Sequence, residues 1–469
     1  MPESPARTLT GEVVDFITNT QYEDLPAEVI RLSKQMLIDG TAVMFSGSTE
    51  ESFHIIAGYL KAMGGAAEAS VVGGGYLAPA PLAALANGLA GHAADYDDTQ
   101  LSSAPSRVYG LLTHPTTPCL GAVYPVAEML DVSGRDLLLA FAIGIEVECK
   151  IAEAIDPRHY QQGFHSTGTI GVFAACAAAA KLMGLNAEQT RHAIGIAASE
   201  SAGLRANFGT MTKPYHAGRA SENGVRAAQL ASLGFEADPN ILDGPWGFFQ
   251  VAGGGVDDEY LRGKLGAPWS VVTPGVSIKP YPCGSLGHPS MDAMLDLVLE
   301  HDVQPEAIRQ IRLATNRMVL EPLRYLEPVN ALQAKFSIPF ALGILALERK
   351  AGIQQYTDAV VHRPDVRAMM AKVKPYRDEA IEALGFDLIR SRVEIELTGG
   401  TLLQKDASIS RGTPQRPFTP AELREKFLDC SAHVLTVGEA DSIIATLRSM
   451  ETLAAVRQFI RRDLGRVPQ

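Results

Sequence analysis

Apolar residues recur at intervals of three and four over residues 28–46, 52–63 and 79–92, and again over 118–130, 134–154, 166–184, 187–202 and 219–234. That spacing collects them on one face of an α-helix, so each stretch predicts a helix with a buried side. Pro79 and Pro81 fall where the first turn of a helix tolerates proline, while Gly184, Gly234 and Pro239-Asn240 punctuate the later stretches. Alanine and glycine are dense throughout, which lets helices approach closely. Residues 1–274 therefore read as the first part of an all-helical domain.

Beyond Trp269-Ser-Val-Val-Thr-Pro-Gly275 the period changes. Ala307–Thr315 and Arg392–Thr398 alternate apolar and polar residues with period two, the pattern of half-buried strands, and Gly399-Gly400 turns the second into Thr401-Leu-Leu-Gln-Lys405 as a hairpin. Helical spacing at 289–301, 336–350 and 363–373 accompanies them, which predicts a smaller α+β domain over 275–408. Pro414, Pro417 and Pro420 mark a link, and Thr419-Pro-Ala-Glu-Leu-Arg opens helices that run to the C-terminus. Their apolar faces need a partner, so 409–469 is expected to complete the helical domain. The fold class is mainly α, with the α+β domain inserted.

Composition narrows the function classes. With 469 residues, 46% of them hydrophobic and 20% charged, the chain can bury a large core as a soluble protein. A net charge of −12 without any run of Lys or Arg argues against nucleic acid. The five cysteines, Cys119, Cys149, Cys176, Cys283 and Cys430, form no C-x-x-C pair and suggest a reducing compartment. Met1-Pro-Glu-Ser-Pro-Ala-Arg has no signal-peptide pattern, and the longest apolar tracts fall short of the ~20 residues a membrane span needs. The expectation is a cytoplasmic protein.

Candidate chemistry sits in polar islands between these apolar stretches. Lys279-Pro-Tyr-Pro-Cys-Gly-Ser-Leu-Gly-His-Pro-Ser-Met-Asp292 combines a lysine, a cysteine and a histidine with three prolines, which forbid a helix and make a stiff loop feeding a helix start. The others are His92-Ala-Ala-Asp-Tyr-Asp-Asp-Thr99, Thr113-His-Pro115, His159–Thr169 and Thr212-Lys-Pro-Tyr-His-Ala-Gly-Arg219. Asp95, Asp97 and Asp98 read either as a carboxylate cluster for a cation or as a capped acidic turn. No metal-binding spacing supports the first reading, and in a helix Asp95 and Thr99 would share a face. His165 precedes Ser166-Thr167-Gly168-Thr169, a helix opening whose free N–H groups suit a carboxylate, or else a simple packed cap. Lys213 and His216 stand just ahead of Gly218, Arg219 and the next helix, as surface groups or as a cationic wall. Cys283 with His288 allows thiol chemistry, although no orienting Asn or Asp is legible. The triplets Gly73–Gly75 and Gly253–Gly255 follow no strand of a nucleotide-binding unit, and Gly-x-Ser-x-Gly is absent.

Taken together in order, these islands resemble the MmgE/PrpD family over nearly the whole chain. The residues that carry the resemblance are His92–Thr99, Gly163-Phe-His165, Asn207-Phe-Gly-Thr-Met-Thr-Lys-Pro-Tyr-His-Ala-Gly-Arg219, Lys279-Pro-Tyr-Pro-Cys283 and His288-Pro289. The family includes 2-methylcitrate dehydratase, cis-aconitate decarboxylase and iminodisuccinate epimerase. The resemblance implies a homodimer without metal or organic cofactor, with a site between a helical domain and an inserted lid. It places Asp95, Thr99, His114, His165, Lys213 and Lys279 at the decarboxylase's pocket positions, and Tyr160 and Lys279 where the epimerase has its opposed acid and base. The chain departs from the decarboxylase at Gly284, where that enzyme has a histidine, at Pro339, where it has a tyrosine, and in the extra stretch Leu101–Leu112.

The family's shared step is movement of a proton at carbon next to a carboxylate. The resemblance therefore implies a lyase, first of all a hydro-lyase, acting on a small di- or tricarboxylate, with an epimerase as the alternative and a non-catalytic carboxylate-binding protein as a third reading. Lys279, Tyr160, His165 and His114 are the expected catalytic groups. Lys279 is expected as base, if it loses its charge when buried. Asp95, Thr99, Lys213, His216, Thr167, Thr169, Cys283 and His288 are expected to bind substrate.

Overall fold

The structure is a computed structural model that describes residues 8–100, 113–385 and 388–466. The periodic stretches of the first 270 residues are helices, among them Ala27–Gly47, Glu51–Met63, Ala80–Ala93, Thr116–Leu130, Gly134–Ile155, Gly171–Leu182, Ala187–Ser199 and Thr212–Ser232. An additional helix, Leu9–Asn19, precedes them, capped by the Thr8 hydroxyl, which accepts from the Gly11 N–H. The last helix begins earlier than its apolar period suggests. Pro214 lies in its first turn, where the missing N–H costs no bond, so the helix opens at Thr212 and takes in both Lys213 and His216.

Small residues decide how these helices meet. Helices 80–93, 116–130 and 212–232 cross on Gly88, Gly121 and Gly218. A Cβ built on Gly121 would lie 2.9 Å from the Gly88 Cα, and one on Gly88 would lie 3.0 Å from the Gly218 Cα. Ser221 sits in the same crossing, its hydroxyl 3.0 Å from the Pro118 carbonyl oxygen. The axes are thus drawn to near backbone contact. The C-terminal end of 80–93, the N-terminal end of 116–130 and the N-terminal end of 212–232 carry His92, His114 and Lys213 to one place.

A second core lies in the α/β part. Its sheet has the order Val373–Arg377, Ile308–Thr315, Ser391–Leu397, Leu402–Ala407. The first pair is parallel and the other two antiparallel, with Ile311 opposite both Val373 and Ile395. Pro375 falls on the outermost strand, where a missing donor costs no ladder bond. Helices His288–Glu300, Ile338–Glu348 and Pro364–Lys372 cover the sheet and bury Met291, Met294, Phe340 and Leu345.

One continuous apolar cluster runs from Leu9 to Ile278 and resumes with Leu423, Phe427, Ile443, Ile444 and Ile460, so the C-terminal helices Pro420–Ser431 and Val437–Arg448 pack on the N-terminal helices. The other cluster runs from Tyr281 to Ile395 and takes in Tyr160 and Phe208 from the helical part. A two-residue antiparallel pairing of Thr99-Gln100 with Val276-Ser277 stitches the two parts beside the polar islands. No helix among the described residues is long and apolar enough to cross a membrane.

The helix crossings make a direct prediction. A Cβ on Gly224 would stand 2.4 Å from the Ala175 Cβ and 2.5 Å from the Cys176 N, so Gly224→Ala must push apart helices 171–182 and 212–232. It should lower stability by roughly 1–3 kcal/mol despite alanine's better helix propensity. Gly58→Ala, on an open helix face with nothing within 4 Å, should raise it by up to ~1 kcal/mol. Urea unfolding of both variants checks the pair.

Candidate active site

A cavity opens where the helical part meets the α/β part. Of the groups expected from the sequence, Lys279, Tyr160, His165, His114, Asp95, Lys213 and Thr167 line it. Thr113, Ser166, Phe208, Gly284, Ser285, Leu286, Pro322, Leu323 and Phe336 complete the wall.

Asp95 is the centre of the polar side. It stands in a turn after helix 80–93 with φ of 54°, a left-handed conformation that costs a non-glycine residue about 1–2 kcal/mol. The turn replaces the helix in which Asp95 and Thr99 would have shared a face. The strain is held by charge. Lys279 Nζ lies 2.5 Å from Asp95 Oδ1 and Lys213 Nζ lies 3.1 Å from Asp95 Oδ2, with all three side chains buried. Burial pushes the Asp95 carboxyl up, yet the two ammonium groups hold it well below its usual range. One carboxylate thus neutralises one of two cations.

The two lysines are not equivalent. Lys279 Nζ donates to the Asp95 carboxylate, to the Asp95 carbonyl at 3.1 Å and to the Cys283 carbonyl at 3.2 Å. Three acceptors use all three N–H groups of an ammonium, and an amine base would need its lone pair where one of those bonds stands. This geometry opposes the reading of Lys279 as the base and makes it the clamp that fixes Asp95. Among the described residues Lys213 pairs with Asp95, and its Nζ lies 5.4 Å and 5.3 Å from the ring centroids of Phe208 and Phe336. Burial lowers its pKa, with Asp95 working in the opposite direction.

The histidines form a stack. His92 lies 4.9 Å from His114 and 5.4 Å from His165 between ring centroids, and His165 Nδ1 lies 3.0 Å from His216 Nδ1. Burial depresses the His114 pKa to about 3 and the His216 pKa to about 4, and holds His165 well below its ordinary value, so the rings are neutral near pH 7. His114 Nδ1 lies 2.7 Å from the Asp98 carbonyl oxygen, which can only accept. That bond fixes the tautomer with the proton on Nδ1 and leaves Nε2 a lone pair. Tyr160 remains protonated, burial pushing its phenol up to about 12 against the Arg205 guanidinium 3.7 Å from its ring centroid.

Five expected contacts lie behind the wall instead of on it. Thr99 is buried in the short pairing with Ser277. His216 reaches the cavity only through His165, and Thr169 Oγ1 is bound to His159 Nε2 at 2.6 Å. His288 Nε2 contacts the Cys283 carbonyl at 3.1 Å. The Cys283 thiol packs 3.5 Å from the Met291 sulfur, and burial pushes it up to about 12, far from a reactive thiolate. Pro339 is buried in helix 338–348, and the lining nearby comes from Phe336. Pro322 and Leu323 stand in a stretch without period, and Phe336 lies just ahead of the helix at Ile338, two residues outside it although the helical spacing begins at 336. Leu286, inside the Lys279 loop, and Phe208, inside the Asn207–Arg219 motif, carried a local cue.

His92, Asp97 and His114 bring one possible metal-ligand atom each within 4.8 Å of one another. His92 Nδ1 and Asp97 Oδ2 are bound to each other at 2.7 Å, and His114 Nδ1 is taken by the Asp98 carbonyl. Among the described residues, His92 Nε2 and Asp97 Oδ1 are buried without a hydrogen-bond partner.

With this geometry in view, the chain's kinship is specific. The MmgE/PrpD N-terminal domain matches residues 11–261 and the MmgE/PrpD C-terminal domain residues 281–452, and the chain belongs to this family. It is 28% identical over 465 residues to a cis-aconitate decarboxylase of Homo sapiens, spanning 95% of this chain and 92% of that protein. The Mus musculus cis-aconitate decarboxylase is 29% identical over 462 residues, 95% of this chain and 91% of the relative. That of Aspergillus terreus is 25% identical over 479 residues, covering 96% and 95%. These relatives are lyases by name.

Two predictions follow from the electrostatics. Asp95→Asn leaves two buried ammonium groups without their partner and should cost roughly 3–5 kcal/mol in unfolding free energy, part of it recovered by adding Lys213→Met. His114 and His216 take up protons less readily folded than unfolded. The stability this gives is full above the unfolded value of about 6.5 and is lost as pH falls toward about 3 and 4. Thermal or urea unfolding should show a drop of up to roughly 2 kcal/mol per histidine between pH 7 and pH 5.

Proposed function

We propose that the protein is a lyase that acts on a small di- or tricarboxylate by moving a proton at the carbon next to a carboxylate, with dehydration as its first outcome. The observation that carries this reading is the grouping in one cavity of a buried cation with free donors, Lys213, a neutral imidazole with its lone pair fixed, His114, and a protonated phenol, Tyr160. The family and the names of its relatives support the lyase class.

The difficulty of the reaction is the weak acidity of the C–H bond. As the proton leaves, charge grows on the carboxylate oxygens. A preplaced ammonium that meets it can be worth about a hundredfold or more in rate. In this reading Lys213 faces the reacting carboxylate, held in place by Asp95, which Lys279 fixes from the other side. The Thr167 hydroxyl, which accepts the His114 N–H at 3.3 Å, and that of Ser166 lie beside it. His114 Nε2 takes the proton from carbon. Its basicity in the empty site is low, and a bound anion raises it by adding negative charge beside the ring. Tyr160 gives its proton to the departing hydroxyl group, so water leaves and a carbon–carbon double bond forms.

A second reading is decarboxylation, favoured by the names of the relatives. There carbon dioxide leaves, the electron pair of the broken bond stays on carbon, and Tyr160 or protonated His114 supplies the proton. Proton return from the other face would give epimerisation.

Proton NMR in deuterium oxide with a panel of hydroxy, unsaturated and amino polycarboxylates tests the proposal. The expected result is solvent deuterium at the carbon next to a carboxylate, with appearance of an ultraviolet-absorbing alkene. Lys213→Ala and His114→Gln should each lower exchange by about a hundredfold or more while the fold is retained. Exchange at the wild-type rate in both variants would overturn the assignment.

A further inference from the structure

The cavity has two chemically different sides. Besides the lysines and histidines, its wall includes the apolar side chains of Phe208, Leu286, Pro322, Leu323 and Phe336, with Ser285 supplying the hydroxyl among the described residues of this stretch. Phe208 and Phe336 stack at 5.7 Å between ring centroids, and both lie against the Lys213 ammonium. The apolar wall therefore begins where the cation ends.

Gly284 shows how this wall is made. Its φ of −57° and ψ of 119° are open to any residue, so the backbone does not demand glycine there. Space does. A Cβ on Gly284 would lie 2.5 Å from Leu323 Cδ2 and 3.7 Å from Phe336 Cδ1. Leu323, which is itself buried, occupies the room that a side chain at 284 would need. Leucine in place of a polar or cationic side chain turns this end of the cavity into hydrocarbon.

We propose that Gly284 and Leu323 together set substrate choice, and that the substrate carries an alkyl or aryl arm of a few carbons directed at Leu323, where a further carboxylate would otherwise stand. The inference rests on the carboxylate-binding reading of the Lys213 side and adds the chemistry of the far end. A carboxylate pressed against Leu323, Phe336 and Leu286 would exchange most of its water for hydrocarbon, with the Ser285 hydroxyl as the side-chain donor among the described residues of this wall. An alkyl arm in the same place gains affinity, up to roughly fourfold for each methylene buried.

The test uses matched acids with an identical reacting end and a distal group that is either carboxymethyl, ethyl or propyl, each also prepared in a saturated, unreactive form. Isothermal calorimetry on the wild-type protein with the unreactive set should rank propyl above ethyl above carboxymethyl, with at least tenfold between the extremes. Leu323→Ala should bring the propyl and carboxymethyl affinities closer together. The double change Gly284→His with Leu323→Ala, which supplies both a hydrogen-bond donor and the room for it, should reverse the order. Equal or tighter binding of the carboxymethyl acid by the wild-type protein would overturn the inference without recourse to any variant. If the order holds but no reactive member of the set exchanges its proton, the assignment of distal specificity stands and the lyase reading fails.

Discussion

A single carboxylate shared by two buried ammonium groups holds the site together. Asp95 belongs to the turn that leaves helix 80–93, Lys213 to the first turn of helix 212–232, and Lys279 to the proline-stiffened loop leading into the α/β part. Charges in such surroundings are expensive to strip of water unless their partners are close and their remaining hydrogen bonds are met. Lys279 meets that demand with three acceptors, two of them carbonyl oxygens. The same contact that stabilises the strained φ of Asp95 also joins the two hydrophobic cores. The site and the junction of the two parts are therefore one construction.

Around this triad the protein keeps its imidazoles neutral by burial. Positive charge from the lysines adds to the effect, and Asp97 opposes it at His92 and His114. The result is a cavity that separates its functions. In the proposed mechanism fixed positive charge resides on Lys213, the accepting lone pair on His114 and the transferable hydrogen on Tyr160. A histidine protonated at neutral pH would blur that division, since it could no longer accept a proton from carbon.

Much of this architecture is legible in the chain because periodicity reports burial. The helical stretches, the two alternating strands and the Gly399-Gly400 hairpin all follow the pattern of apolar residues. The clustering of Lys279, His165, His114, Tyr160 and Lys213 was legible from short polar motifs placed among alanine-rich helices. What escaped the pattern has physical reasons. Pro214 looks like a helix stop but lies in a first turn, where it is harmless. The acidic turn at Asp95 adopts its conformation for the sake of two lysines far away in sequence, which no local rule encodes. Thr99, Thr169, His216, Cys283 and His288 belong to the right motifs yet point to neighbouring backbone or side chains, because proximity in a motif does not determine which way a side chain faces. Leu323 enters the cavity from a stretch without any period, and Phe336 from just ahead of the helix whose spacing includes it.

The glycine crossing of helices 80–93, 116–130 and 212–232 has a consequence for how such a protein can change. Near backbone contact at Gly88, Gly121 and Gly218 couples the three helix ends that present His92, His114 and Lys213, so none of them can be shifted alone. The wall formed by Gly284 and Leu323 stands on loops outside that crossing. A displacement on the lysine and histidine side must carry three helices with it, whereas one at Gly284 or Leu323 need move only the loops that bear them.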